Sequence, residues 1–139
     1  MKKVFFKYQI FIAWTVSLTA TLGSLFFSEV MEFTPCSLCW YQRIFMYPLA
    51  IILLIGFFRE DRVSLFYGLI FSILGWLISF YHNLLVWEII PETASPCVQG
   101  IPCNATYIDW FDFITIPLLS MMAFTLLIII CLPRCSNEK

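Results

Sequence analysis

Residues 8–27 read YQIFIAWTVSLTATLGSLFF, with no charged side chain from Tyr8 to Phe27. A helix rises about 1.5 Å per residue, so roughly 20 apolar residues cross about 30 Å of hydrocarbon, and this stretch is long enough. Three further stretches pass the same test. Trp40–Phe58 carries only Arg43, near its start; Val63–Leu84 carries only His82, near its end; Phe113–Leu132 carries no charge. Such uniform apolar runs suit helices that satisfy their own backbone in lipid, and the alternation of a barrel strand is absent. The sequence predicts an all-α membrane protein, a four-transmembrane-helix bundle forming a single integral domain over residues 1–139. Two longer connections, about 28–39 and 85–112, lie on one side.

Composition agrees. Of the 139 residues, 61% are hydrophobic and 12% charged, against roughly 45–50% and about 25% in soluble globular chains. A soluble domain of this size has too little interior for that much apolar surface. The net charge of −1 excludes a nucleic-acid surface and a basic peripheral membrane patch. Lys2, Lys3, Lys7, Arg59, Arg62, Arg134 and Lys139 fall on the side of the termini, leaving Arg43 as the one cation toward the other. Both termini are therefore expected in the cytoplasm and both longer connections outside. Trp40, Trp87 and Trp110 fall at the outer boundary, as an interfacial aromatic belt would place them. Met1-Lys2-Lys3 before an apolar run resembles the opening of a signal peptide. The run is too long for that and no small-x-small cleavage site follows, so it reads as a retained anchor. Pro48 and Pro117 are expected inside spans two and four, kinking them.

The six cysteines divide by topology. Cys131 and Cys135 lie at the cytoplasmic end of span four and read as incidental thiols. Cys36, Cys39, Cys97 and Cys103 lie in the outer connections, where disulfides persist. Cys36-Ser37-Leu38-Cys39 is a Cys-x-x-Cys at a helix start. The helix N-terminus lowers a nearby thiol pKa, and a stabilised thiolate makes the corresponding disulfide oxidising. A two-residue staple closes almost no loop, so a structural role stabilises little. Arg43 follows Cys39 by four residues, on the same helix face. It is placed to hold a thiolate or a developing charge on an acceptor, the alternative being a side chain that snorkels to headgroups. Cys97 and Cys103 frame Val98–Pro102, whose proline and glycine, with Pro96, predict a non-helical, exposed segment suited to exchange with another protein. A four-cysteine zinc site is disfavoured, because the second pair lacks knuckle spacing and Arg43 would set like charge beside the metal. Asn104–Asp112, with Tyr107, Trp110 and Phe111 between polar residues, is expected to lie flat on the membrane.

Two outward dithiol pairs on a lipid-embedded chain suggest an electron relay. The exposed pair takes two electrons from a soluble dithiol, and the pair at the membrane boundary hands them to a lipid-soluble acceptor such as a quinone. No nucleotide loop or haem-attachment motif is present.

The combination of four spans, Cys36-Ser-Leu-Cys39-Trp-Tyr-Gln-Arg43 and a second outer cysteine pair resembles the DsbB family of disulfide bond formation proteins. The short chain and close second pair are most similar to its Gram-positive, BdbC-type branch. The resemblance implies a protein-disulfide:quinone oxidoreductase of the plasma membrane. Such an enzyme reoxidises an extracytoplasmic thioredoxin-fold thiol oxidase (DsbA- or BdbD-like) and so supports disulfide formation in exported proteins. It implies that Cys39 touches the quinone with Cys36 as its disulfide partner, that Arg43 lies beside the quinone ring, and that His82 is the third-span histidine near it. Cys97 is implied to form the mixed disulfide with the partner, and Cys103 is its mate. The quinone is menaquinone or ubiquinone, menaquinone being favoured in a Gram-positive source; no metal is implied. Gram-negative members hold their second-loop cysteines further apart. The rival readings are vitamin K epoxide reductase-like enzymes, whose Cys-x-x-Cys sits late in the chain, a small channel, and a non-catalytic membrane assembly subunit with structural loop disulfides.

Overall fold

The computed structural model describes residues 2–94, 97 and 115–135. Cys103, the Asn104–Asp112 segment, Lys139 and the side chain of Cys135 lie outside the described residues. The described residues are helical, without strands: α1 (Lys2–Glu29), α2 (Ser37–Arg59), α3 (Val63–Val86) and α4 (Ile116–Cys135), with one 3-10 turn at Glu92–Ala94. The first three helices overrun the apolar stretches that announce them, because backbone hydrogen bonding continues into the polar flanks, whereas α4 starts at Ile116, inside its stretch, and ends beyond it. Span two begins at Ser37 rather than Trp40, which makes Cys36 the N-cap. Among the described residues, three helices are long and apolar enough to cross a membrane, and Ile116–Leu132 forms a shorter apolar one.

The helices pack in chain order around a ring, α1 against α2, α2 against α3, α3 against α4 and α4 back against α1. All four supply the core, in which Ile10, Ala13, Leu49, Leu53, Leu65, Phe124, Leu127 and Cys131 are fully buried or nearly so. Large apolar side chains such as Phe5, Ile51, Phe58, Leu77 and Ile129 point outward, toward lipid rather than water.

Lipid is as apolar as leucine, so close packing rather than burial decides which faces meet. On α3 the meeting face is a row of small residues, Ser64, Gly68, Ser72, Gly75 and Ser79, all buried. Gly75 is the tightest point: a Cβ there would stand 2.3 Å from the ring of Phe124 on α4. At the opposite end from Cys36, the Gln9 amide donates to the Ile130 carbonyl. Lys7 lies 3.9 Å from Glu60 and 5.4 Å from the Phe57 ring centroid. The α2–α3 turn is short because Glu60 takes the left-handed conformation (φ 53°) and its N–H returns to the Gly56 carbonyl.

Pro48 lies inside α2 as expected. Pro117 does not kink α4, because it is the second residue of that helix, where its missing N–H costs no helical bond.

Candidate functional site

Pro35 precedes α2, and Cys36 caps it in an extended conformation (φ −71°, ψ 170°). One helical turn brings Cys39 back beneath it. The two sulfurs share a hydrogen bond at 3.2 Å, so the pair stands as a dithiol. His82, on the last turn but one of α3, is 2% exposed and sets Nε2 3.7 Å from Cys36 Sγ. The hydrogen bond from Cys39 holds the Cys36 thiol well below the usual thiol range. The His82 ring adds to that, and both outweigh the opposing cost of burial. In the dithiol state Cys36 is therefore the ionised sulfur.

Behind the ring runs a buried chain of polar groups. Gln42 Nε2 donates to His82 Nδ1 at 3.1 Å, and Ser120 Oγ on α4 donates to Gln42 Oε1 at 2.7 Å. Ser79 Oγ lies 2.9 Å from Ser120 Oγ and 3.1 Å from the Pro117 carbonyl. That carbonyl also accepts from Asn83 Nδ2 at 3.1 Å.

In front of the dithiol is a cavity of about 560 Å3 whose walls include Cys36, Cys39, Gln42, Arg43 and His82, within the usual size range of small-molecule sites. Its α1 wall includes Thr15, Thr19, Ala20, Gly23 and Ser24, small residues at helical spacing, together with Val16 and Phe27. A Cβ on Gly23 would meet nothing within 4 Å among the described residues. Arg43 Nη2 donates to the Ser24 carbonyl at 3.1 Å, and its guanidinium sits 5.5 Å from the Trp40 ring centroid. The arginine is thus fixed at the cavity wall rather than extended to the membrane surface. The hydroxyls of Tyr47 and Thr115, both on residues of that wall, are buried and have no hydrogen-bond partner among the described residues.

The family model described as "Disulfide bond formation protein DsbB" matches residues 7–133. The chain belongs to the DsbB family. It is 49% identical over 122 residues to disulfide bond formation protein C of Bacillus subtilis, covering 86% of this chain and 87% of that one. It is 45% identical over 127 residues to the probable disulfide formation protein C of Halalkalibacterium halodurans, with 91% and 92% covered. A probable disulfide formation protein of Oceanobacillus iheyensis is 39% identical over 133 residues, with 94% and 92% covered. No solved structure matches the chain. As a DsbB-family member the protein is a membrane oxidoreductase that serves disulfide bond formation.

In this DsbB-family chain the structure brings Cys36, Cys39, Arg43 and His82 to one cavity, whereas Cys103 lies outside the described residues. Cys97 is disulfide-bonded, which removes it from any four-thiolate metal site. Cys36, Cys39 and His82 place their ligand atoms within 4.8 Å of one another. The sulfurs stand at 3.2 Å, closer than the edge of about 3.8 Å that zinc–sulfur bonds of about 2.3 Å require.

The expected exposure of the second pair is corrected at Cys97. It is non-helical, as read, but 9% exposed, in a cluster with Cys36, Leu38 and Leu85. Proline and glycine disfavour a helix but say nothing of how deeply a single side chain such as Cys97 is buried. Gln42, Ser79 and Ser120 escaped the sequence reading. Their signal was available: a carboxamide inside an apolar span, three residues beyond a Cys-x-x-Cys, is costly unless something pairs with it.

Proposed function

We propose that the protein is a thiol:quinone oxidoreductase that reoxidises an extracytoplasmic thioredoxin-fold dithiol oxidase of the DsbA or BdbD kind. The observation that carries this reading is the Cys36–Cys39 dithiol in the wall of an apolar cavity of about 560 Å3. The orphaned hydroxyls of Tyr47 and Thr115 and the fixed guanidinium of Arg43 suit a flat, apolar guest with polar oxygens. A quinone supplies an acceptor for two electrons and two protons; menaquinone is the choice in a Gram-positive membrane, ubiquinone otherwise.

The partner's two thiols give up two electrons by exchange with the disulfide of Cys97 and Cys103. Those electrons pass to a Cys36–Cys39 disulfide, breaking one S–S bond as another forms. Burial of Cys97 beside Cys36 favours that internal exchange. Reoxidation of the Cys36 thiolate and the Cys39 thiol then releases two electrons and one proton, the other proton having left when Cys36 ionised. Arg43 supplies positive charge at the cavity wall, and His82 holds the ring nitrogen that faces Cys36. The proton between the two sulfurs lets either carry the charge, which reconciles ionised Cys36 with Cys39 as the sulfur in contact with the acceptor. The cationic flanks argue for cytoplasmic termini and outward cysteines.

The test is quinone reduction, followed by absorbance, in purified detergent-solubilised protein given a reduced DsbA-like partner. Turnover in the wild type and its loss in both Cys39→Ser and Cys97→Ser are expected. Continued oxidation of the partner by Cys97→Ser would make the second pair structural. No reduction by any sample, with disulfides and bound quinone intact, would make the protein a non-catalytic assembly subunit.

A further inference from the structure

The polar chain behind Cys36 can be filled with hydrogen in more than one way. Ser79 Oγ and Ser120 Oγ make three contacts between them, to the Pro117 carbonyl, to each other and to Gln42 Oε1. Each hydroxyl carries one proton. With Gln42 presenting Oε1, one of these contacts is therefore without hydrogen; with the carboxamide turned over, Nε2 supplies the third, and the chain has two self-consistent polarities.

In the first, Ser79 donates to Ser120, Ser120 to Gln42 Oε1, Gln42 Nε2 to His82 Nδ1, and His82 Nε2–H to the Cys36 sulfur. The Pro117 carbonyl then keeps its bond from Asn83 Nδ2 at 3.1 Å. In the second, the Gln42 carboxamide is turned over. His82 Nδ1–H donates to Oε1, Gln42 Nε2 to Ser120, Ser120 to Ser79, and Ser79 to the Pro117 carbonyl. The exchange of amide oxygen for nitrogen is the only heavy-atom change, and neither polarity strands a member of the chain.

We propose that Gln42 is a reversible amide switch that selects which nitrogen of His82 is protonated and so lets this buried ring hold a proton for Cys36. Gln42 is a positioning residue, acting on the sulfur through His82. The proposal takes from the reading above only that Cys36 is a redox sulfur. With one proton on the pair, Cys36 is a thiolate and His82 is neutral, with its hydrogen on Nε2. A second proton enters at Nδ1 as Gln42 presents its oxygen, giving an imidazolium between Gln42 and the thiolate. Transfer of the Nε2 proton to sulfur leaves a neutral Nδ1–H ring and a thiol. No electron passes through Gln42 or His82. The titratable and charged groups near the ring include Cys36 at the cap of α2, Cys39, Arg43 and Tyr47 on α2, which share its cavity, and Tyr81 beside it on α3, the last hydrogen-bonded to the Ala94 carbonyl. The described cavity walls from α1 and α4 offer hydroxyls and apolar groups, and Cys97, being disulfide-bonded, does not titrate.

His82 is the only histidine in the chain, so 15N-histidine labelling yields a spectrum of this one ring. The dithiol form in lipid nanodiscs is followed by 15N NMR as acid is added. In the wild type the hydrogen is expected on Nε2 alone at first and on Nδ1 as well once a second proton is taken up. Gln42→Glu, which only accepts, is expected to show Nδ1 protonated from the outset. Gln42→Met, which offers no acceptor, is expected to lose the Nδ1–H signal under conditions where the wild type shows it. A wild-type ring protonated at the same nitrogen throughout overturns the proposal, as does a Gln42→Met spectrum that follows the wild type. If Gln42→Met fails to fold, the wild-type and Gln42→Glu spectra decide. The readout uses neither quinone nor partner. A switching ring in a protein that reduces no quinone would therefore sink the proposed function and leave this inference standing.

Discussion

Arg43 on α2 is bound to the backbone carbonyl of Ser24 on α1 at 3.1 Å, and both residues line the cavity that Cys39 also lines. A charge-assisted bond to a helix carbonyl keeps the guanidinium level with the dithiol, one turn along the same face. Lysine supplies the charge without the planar fork that reaches a carbonyl and a guest together. Arg43→Lys is expected to raise the KM for quinone by roughly tenfold, in line with about 1.5–3 kcal/mol for a hydrogen bond to a charged group. The rate of thiol exchange with the dithiol partner is expected to stay unchanged. Steady-state kinetics with each substrate varied in turn checks both parts.

Cys36 gives the dithiol form a pH signature of known sign. Its thiol is held well below the ordinary range by Cys39 and then His82, against burial. The unfolded chain thus binds a proton that the folded one lacks between the lowered value and the ordinary thiol value of about 8.5. The Cys36 contribution to the stability of the reduced protein should rise with pH through that window, level off above it, and be lost as pH falls through the folded value. The disulfide form has no such dependence. Thermal unfolding of both forms across pH measures the difference, and Cys36→Ser in the reduced form should abolish it. Alkylation of Cys36 by iodoacetamide should likewise run at nearly constant rate around neutrality, instead of climbing toward the ordinary thiol value.

The disulfide of Cys97 should be slower to react than its sequence suggests. Exchange needs in-line approach to a sulfur, and Cys97 is packed with Cys36, Leu38 and Leu85. Trimming Leu38, itself 4% exposed, loosens that cover. Leu38→Ala is expected to speed reduction by a soluble thiol several-fold, read by mass-spectrometric alkylation of Cys97. Equal rates in the two proteins would show that the segment is open in solution.

Four helices, and the nearness of Cys36, Cys39 and Arg43, were legible in the sequence because each rests on a strong local signal: run length, a Cys-x-x-Cys, and a cation one turn beyond it; that His82 joins them was implied by the family resemblance alone. Orientation of the helix faces was not. In lipid every face is apolar, so the small-residue row on α3 from Ser64 to Ser79 carries the packing information without changing the mean hydropathy of the run. Gln42 was visible as a carboxamide in an apolar span, but its partners were not. It adds no charge and no periodicity, and its importance appears only when α3 and α4 bring His82 and Ser120 to its two ends. Cys97 shows the remaining gap, since non-helical character is written in Pro96 and Pro102 but burial depends on what the segment finds beneath it.

The α3–α4 seam makes a prediction about folding rather than chemistry. A Cβ at residue 75 would stand 2.3 Å from Phe124 Cε1 and Cζ, and Phe124 is wholly buried, so the ring has no room to give. Gly75→Ala is expected to destabilise the bundle by about 1–3 kcal/mol through overpacking, despite alanine's higher helix propensity. Phe124→Leu in the same chain should restore part of the loss, because a smaller side chain accepts the new methyl. Thermal unfolding in detergent separates the two.

Gly23 is the opposite case, and it isolates the cavity from the fold. It lies on the α1 wall with nothing among the described residues within 4 Å of an added Cβ, so a larger side chain there fills space instead of displacing neighbours. Gly23→Ala should hold or raise stability, by up to about 1 kcal/mol from helix propensity. Gly23→Leu should keep the helical content and melting temperature of the wild type while reducing quinone turnover at least tenfold. The Cys36–Cys39 dithiol should remain titratable in both. Full turnover by Gly23→Leu would mean that the acceptor reaches the dithiol by another route than this cavity, and a melting temperature well below the wild type would mean that the α1 wall is packed more tightly than its open face implies.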